Sequence, residues 1–208
     1  HNMTKAVYPD GKFVALTYDK KNDWVTSFTD REKCSENYKY EFDSKNPKMH
    51  YWSTVKKTCG KEVVNESKHE FWFSERKDGQ VFLARVNSKV NKDETDITYH
   101  EVFGKPIAIR RNNVRYTYTY YSNGQVKEKN SDNVNLIYVY DSKTSKVIKV
   151  TTISKNEKGK VIANKKTDFR YDAKGNLNYA QNSEGLKITM TYDGKGRIAS
   201  IVDQAKKL

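Results

Sequence analysis

A tyrosine-led turn recurs through the second half of this chain, and a train of β-hairpins is the simplest fold that accommodates it. Tyr171-Asp172-Ala173-Lys174-Gly175-Asn176-Leu177 and Tyr192-Asp193-Gly194-Lys195-Gly196-Arg197-Ile198 are its two full copies. Looser copies start at Tyr121-Ser122-Asn123-Gly124 and at Tyr140-Asp141-Ser142-Lys143. Each copy ends a strand-like run on an aromatic, crosses polar residues and restarts on an apolar one. Gly175 and Gly196 supply the positive φ that a tight hairpin needs. Tyr8-Pro9-Asp10-Gly11-Lys12-Phe13 and Lys77-Asp78-Gly79-Gln80-Val81 carry the same grammar into the first half.

Strand-like segments are expected at 12–18, 24–28, 37–42, 49–56, 70–73, 80–87, 96–103, 115–121, 133–140, 146–154, 160–171, 185–192 and 197–202, with no convincing helical periodicity anywhere. In Arg115-Tyr116-Thr117-Tyr118-Thr119-Tyr120 the three tyrosines are expected on one side of the sheet and Arg115, Thr117 and Thr119 on the other. A mean hydropathy of −0.95 with a net charge of +13 raises the alternative of disorder. Fifteen Tyr, eight Phe and three Trp against only three Pro decide for ordered strands. The expected fold is all-β: an antiparallel meander of repeated hairpins forming a curved sheet, half-barrel or barrel, with little or no helix. Residues 1–105 form an N-terminal part with the cysteines and 106–208 the repeat-bearing part, in one continuous sheet system, divided near Gly104-Lys105-Pro106.

The aromatic-Asp pair, the glycine three residues after Asp and the apolar residue two further on resemble the YD repeat of bacterial RHS-type proteins, over about residues 116–203. Tyr171 and Tyr192 are 21 residues apart, about one repeat of that family, and Tyr121 to Tyr140 is a step of 19. The step from Tyr140 to Tyr171 is too long, and the turn within it, Asn156-Glu157-Lys158-Gly159, lacks the Tyr-Asp. The resemblance implies antiparallel strands in long curved sheets, linked in the family to carbohydrate binding or to enclosing toxins. This chain is far too short for a toxin-enclosing shell, so the strand architecture is what carries over.

Chemistry is sparse. His1, His50, His69 and His100 are the whole histidine inventory, and neither His69-Glu70 nor His100-Glu101 extends to a zinc-binding HExxH. No nucleophile elbow or phosphate loop is present, so neither catalysis nor a cofactor or metal is expected. The turn carboxylates Asp141, Asp172 and Asp193 could line one edge as a cation site, but bonding their own turns is the simpler role. Cys34 and Cys59 fit no CxxC or zinc spacing, and a disulfide in an oxidising compartment is the favoured reading. Eight of the 39 basic residues are Arg and the other 31 are Lys, scattered or at most paired, as at Lys165-Lys166 and Lys206-Lys207. That pattern suits solvated strand edges better than a nucleic-acid surface. Arg110, Arg111 and Arg115 are the one arginine cluster and the candidates for a polyanion site.

The strongest binding candidates are aromatic: Trp24, Tyr51, Trp52 and Trp72, whose flat faces suit sugar rings and whose alternative role is core. The expectation is a non-enzymatic bacterial binding or adhesion protein outside the cytoplasm, with a cell-envelope polysaccharide as leading ligand. A structural or assembly component acting through protein contacts is the first alternative, and a polyanion binder the second. No apolar run approaches the roughly 20 residues of a membrane-spanning helix, so an integral membrane protein is not expected.

Overall fold

The computed structural model describes residues 2–204, which form seventeen strands and no helix. His1 and the Lys206-Lys207 pair lie outside the described residues. Two compact units divide at Asn113/Val114.

The first unit holds β1 (Lys5–Val7), β2 (Phe13–Tyr18), β3 (Val25–Thr29), β4 (Cys34–Phe42), β5 (His50–Cys59), β6 (Glu62–Glu75), β7 (Val81–Val90), β8 (Asp93–Tyr99) and β9 (Pro106–Arg111). The second holds β10 (Val114–Tyr120), β11 (Val126–Ser131), β12 (Val134–Tyr140), β13 (Val147–Lys155), β14 (Val161–Tyr171), β15 (Leu177–Asn182), β16 (Lys187–Tyr192) and β17 (Ile198–Gln204). Within each unit every strand pairs antiparallel with the next in sequence. Neither meander closes its first strand onto its last, so the closed-barrel form of the expected fold is not adopted.

Four strands escape a reading of the sequence: β1, β9, β11 and β15. Val126-Lys-Glu-Lys-Asn-Ser and Leu177-Asn-Tyr-Ala-Gln-Asn have too little apolar alternation to announce a strand, yet each is bonded to a neighbour on both sides. Residues 100–103, expected to extend a strand, instead turn after Tyr99, with the Gly104 amide donating to the His100 carbonyl at 2.9 Å. The long step between Tyr140 and Tyr171 has a plain cause: β13 and β14 are 9 and 11 residues long, and no repeat is missing between them.

The recurrent turn is one hydrogen-bonded device. The Asp172 amide donates to the Asn176 carbonyl and the Gly175 amide to the Asp172 carbonyl, both at 2.9 Å. Asp172 Oδ1 meanwhile accepts from the amides of Lys174 (2.9 Å) and Asn176 (2.8 Å). Asp193 repeats the set with Lys195 and Arg197, and Gly175 and Gly196 sit at φ +85 and +79. The strand register slips by one residue at Tyr171 and again at Tyr192, so a bulge accompanies each turn.

The same device occurs where no Tyr-Asp-Gly signature points to it. Asp30 caps the turn into Cys34, with Lys33 in the glycine place at φ 64. Asn156 and Asn182 replace the aspartate on the opposite edge of the second unit. Tyr18-Asp19 and Tyr140-Asp141 are versions one residue longer, with Asp23 and Ser145 at positive φ. The first looser copy is also displaced by one. Tyr120 pairs with Val126 as Tyr171 does with Leu177, so Tyr120, not Tyr121, is the repeat tyrosine and Tyr121 stands in the aspartate place.

The tyrosine has its own task. Tyr171 Oη donates to the Val147 carbonyl (2.8 Å), Tyr192 Oη to that of Leu177 (2.7 Å) and Tyr40 Oη to that of Val25 (3.0 Å). Each acceptor begins the adjacent strand, just after the preceding turn on the same edge, so the phenol ties successive hairpins together. Tyr171→Phe is expected to cost about 1 kcal/mol, one hydrogen bond with the ring retained. Urea unfolding should show a lower midpoint at unchanged slope.

No hydrophobic or polar side chain among the described residues is fully buried. The chain exposes 14962 Å², whereas two separate compact domains of half its mass would together expose about 12,000 Å². Each unit is a single layer.

Candidate functional site

In the first unit, strand register assigns the two faces. Trp24, Tyr40, Phe42, Tyr51, Phe71 and Phe73 share one face, where centroid separations run from 4.7 Å (Trp24–Tyr40) through 5.0 Å (Tyr51–Phe71) to 6.3 Å (Trp24–Tyr51). Leu83, Val86, Ile97 and Ile109 continue it across β7 to β9. These rings cover one another, and none of them is fully buried; Phe42 keeps 43% of its surface exposed. At one end the Cys34–Cys59 disulfide joins residues directly opposite on β4 and β5. Four residues further along β4 the Tyr38 phenol, which donates to Glu36 (2.7 Å), is pushed up to about 12 by burial first and by that carboxylate second.

The other face is polar and networked. His50 lies between Asp43 Oδ2 (3.0 Å) and Glu70 Oε1 (2.9 Å), stacked on Trp72 at 4.9 Å. Arg85 sits over Trp72 at 4.6 Å and donates to Asp96 through both Nε (2.9 Å) and Nη2 (2.6 Å). Trp52 donates from Nε1 to Glu41 (3.0 Å) and has Lys68 over its ring at 5.0 Å. Burial acts to raise Asp96, but hydrogen bonds from Arg85 and Asn87 outweigh it and hold the carboxyl below its ordinary value. Glu70 is likewise held low, Lys68 and His50 outweighing its burial.

The four aromatic candidates therefore separate. Trp24 and Tyr51 belong to the ring cluster, while Trp52 and Trp72 stand on the polar face with their own neighbours against their rings. The arginines separate too. Arg110 shares the polar face and donates to Glu94 (3.0 Å). Arg111 alternates to the aromatic side and is exposed, and Arg115 belongs to the second unit.

In the second unit Tyr116, Tyr118 and Tyr120 do share a face, with Leu136, Tyr138, Phe169, Ile188 and Met190. The opposite face carries Thr, Asn, Gln and Lys together with Ile137, Val139 and Ile153, and on it Tyr179 is flanked by Arg170 (4.6 Å) and Lys187 (5.6 Å). Along the edge bearing the Tyr-Asp turns lie three clefts, one between each pair of successive turns. They measure about 350, 470 and 360 Å³ in order along the edge. The first is lined by Tyr121, Gln125, Tyr140 and Asp141, the second by Lys146, Tyr171 and Asp172, the third by Asn178, Tyr192 and Asp193. Lys146 bridges from one turn to the next, donating to the Gly175 carbonyl (2.6 Å) with its ammonium 5.0 Å from the Tyr171 ring centre. The sequence signals each turn but not the clefts, which exist only because turns two strands apart stand side by side.

Asp141, Asp172 and Asp193 direct their carboxylates into their own turns, and no group of three metal-ligating side chains gathers among the described residues. All three carboxyls are held below their ordinary value, chiefly by backbone amides: Thr144 for Asp141, Asn176 for Asp172 and Arg197 for Asp193. A carboxyl lowered by folding contributes stability that is full above the unfolded value of about 3.9 and lost as pH falls through the folded one. Urea midpoints are therefore expected to fall once pH drops below about 4. Asp172→Asn should keep the turn, as Asn156 and Asn182 do, and flatten part of that acid dependence.

No protein family and no curated protein matches the sequence. Solved structures do match in fold. A Photorhabdus luminescens Tc holotoxin pore (mutation TccC3-D651A) superposes with a TM-score of 0.52 at 14% identity, over 96% of this chain and 12% of that one. A TcdB2-TccC3-Cdc42 crystal structure is aligned over 95% of this chain and 13% of that one, at 12% identity and a TM-score of 0.37. The chain thus spans about one-eighth of the length of the structures it matches, and what it has in common with the holotoxin pore is an all-β fold.

Proposed function

We propose that this chain is a non-enzymatic structural component of a larger extracytoplasmic bacterial assembly, a β-scaffold whose uncovered sheet faces are completed by protein contacts. One observation carries the reading: two ordered meanders, each with an apolar face, leave no side chain among the described residues fully buried. Soluble domains normally close such a face with a second layer, and large apolar patches left open mark interaction sites. The disulfide is consistent with an oxidising compartment, and a holotoxin pore as the matching fold agrees with an assembly role. In the test, sedimentation fixes the dilution at which the chain is single, and ANS fluorescence is read there. Bright, cooperatively unfolding single chains support the scaffold; dark ones sink it.

A second reading, polysaccharide binding, draws on the row of clefts. Their lining of tyrosine, hydroxyl, amide and carboxylate groups suits a polyol, and their recurrence every two strands suits a polymer. It moves the contact from Trp52 and Trp72, whose rings are already packed, to the Tyr-Asp edge. A glycan array at physiological and high salt, repeated with Lys146→Ala, tests it; salt-resistant binding weakened by that change favours this reading over the scaffold. Binding abolished by salt would instead favour a polyanion partner.

A further inference from the structure

We infer that the aromatic face of the first unit is a self-association surface, on which a second copy of this chain packs face to face. The inference rests on the assembly reading above and names its partner. Area is the first argument. The accessible surface exceeds that of two compact domains of half the mass by about 3,000 Å²; a homodimer interface buries about 2,000–5,000 Å². Summed over both units of one copy, that excess is of the order of one partner's share of such an interface.

Charge is the second argument. Residues 1–113 carry 21 basic and 17 acidic side chains, a net +4, whereas 114–208 hold the remaining +9. Two identical copies repel through like charge, so self-contact is cheapest on the first unit. There the charges are also kept off the rings. Glu41, Asp43, Lys68, Glu70, Arg85, Asp96 and Arg110 all point to the opposite face, and Lys57 near the disulfide is paired with Asp30 (3.1 Å) and Glu36 (3.5 Å). By register Glu75, Asp93 and Arg111 stand on the aromatic side with the Glu36–Lys57 pair, so its charges are of mixed sign and give no single charge by which to select a foreign partner.

Geometry is the third. Two antiparallel sheets pack face to face about 10 Å apart with interdigitating side chains, and a two-fold axis between identical faces gives a closed, self-complementary contact. Trp24, Tyr40, Phe42, Tyr51, Phe71 and Phe73 would then form the inside of a sandwich in place of a half-wet layer.

Sedimentation equilibrium of the full chain across concentrations tests this, with ANS fluorescence read in parallel. The expected result is a dimer whose formation quenches the ANS signal. Phe42→Lys places a charge on the most open ring and should weaken dimerisation about a hundredfold, with far-UV CD and cooperative unfolding preserved. Val102→Lys, at a similarly open apolar residue in the turn after Tyr99, should leave the dimer intact. A chain that stays single and ANS-bright at all concentrations overturns self-association while leaving the assembly reading standing. A single, ANS-dark chain overturns both. A dimer indifferent to Phe42→Lys places the contact elsewhere and also overturns the inference.

Discussion

Replacing Cys34 and Cys59 together by serine is expected to destabilise the first unit by about 3.5 kcal/mol, the chain-entropy value for a closed loop of this size. The bond ties neighbouring strands whose sequence separation is 25, a long enough stretch for the unfolded chain to gain substantial freedom when it is cut. In a protein with a dense core this loss would be one contribution among many. Here no side chain among the described residues is fully buried, so it is a large fraction of the roughly 5–15 kcal/mol that holds an ordinary domain together. Heat or urea unfolding of the serine variant and of the reduced wild type should give the same shift. Hydrogen exchange should place the lost protection in residues 1–113. A loss below about 1 kcal/mol in both would mean that ladder bonds and turns already hold the β4–β5 pair without the crosslink.

The strand grammar was legible because it is written locally. Asp-x-x-Gly turns, tyrosines on alternate positions and β-branched runs are short-range signals, and they place thirteen of the seventeen strands. β11 and β15 were not legible, since a strand bonded on both sides needs no apolar period of its own. The functions of Asp30, Asn156 and Asn182 in their turns were hidden for a different reason. The device requires an acceptor side chain and a positive φ, and Lys33 meets the second requirement without being glycine.

Sites fared worse than strands. Tyr51 and Trp52 are adjacent in sequence and so face opposite ways, which strand periodicity states in advance. That Trp72 would be covered by His50 and Arg85 depends on the register of β5, β6 and β7, and no local pattern encodes it. Arg110 and Arg111 obey the same alternation as Tyr51 and Trp52. The row of clefts needs the register of eight strands at once. Sequence neighbours on strands are poor guides to shared surfaces; residues two apart, or directly opposite on the next strand, are good ones.

Tyr51→Ala is expected to cost about 2–3 kcal/mol, toward the low end for removing a large ring because the site is half-exposed. Tyr51 is the hub of its face, within 5.0 Å of Phe71, 5.9 Å of Phe73, 6.0 Å of Phe42 and 6.3 Å of Trp24 between ring centres. Removing it leaves four rings without their common neighbour on a face where no side chain among the described residues is fully buried. Trp52→Ala, one residue away, removes a ring whose contacts are a carboxylate, a histidine and a lysine on the wet face. Its cost should be smaller, about 1 kcal/mol, because solvent replaces those partners at little penalty. Urea midpoints of the two variants check the order. Equal, small losses would mean that the ring cluster contributes little to folding and is held open for a ligand. A large loss at Tyr51 alone assigns the aromatic face to the stability of the sheet and to whatever packs upon it.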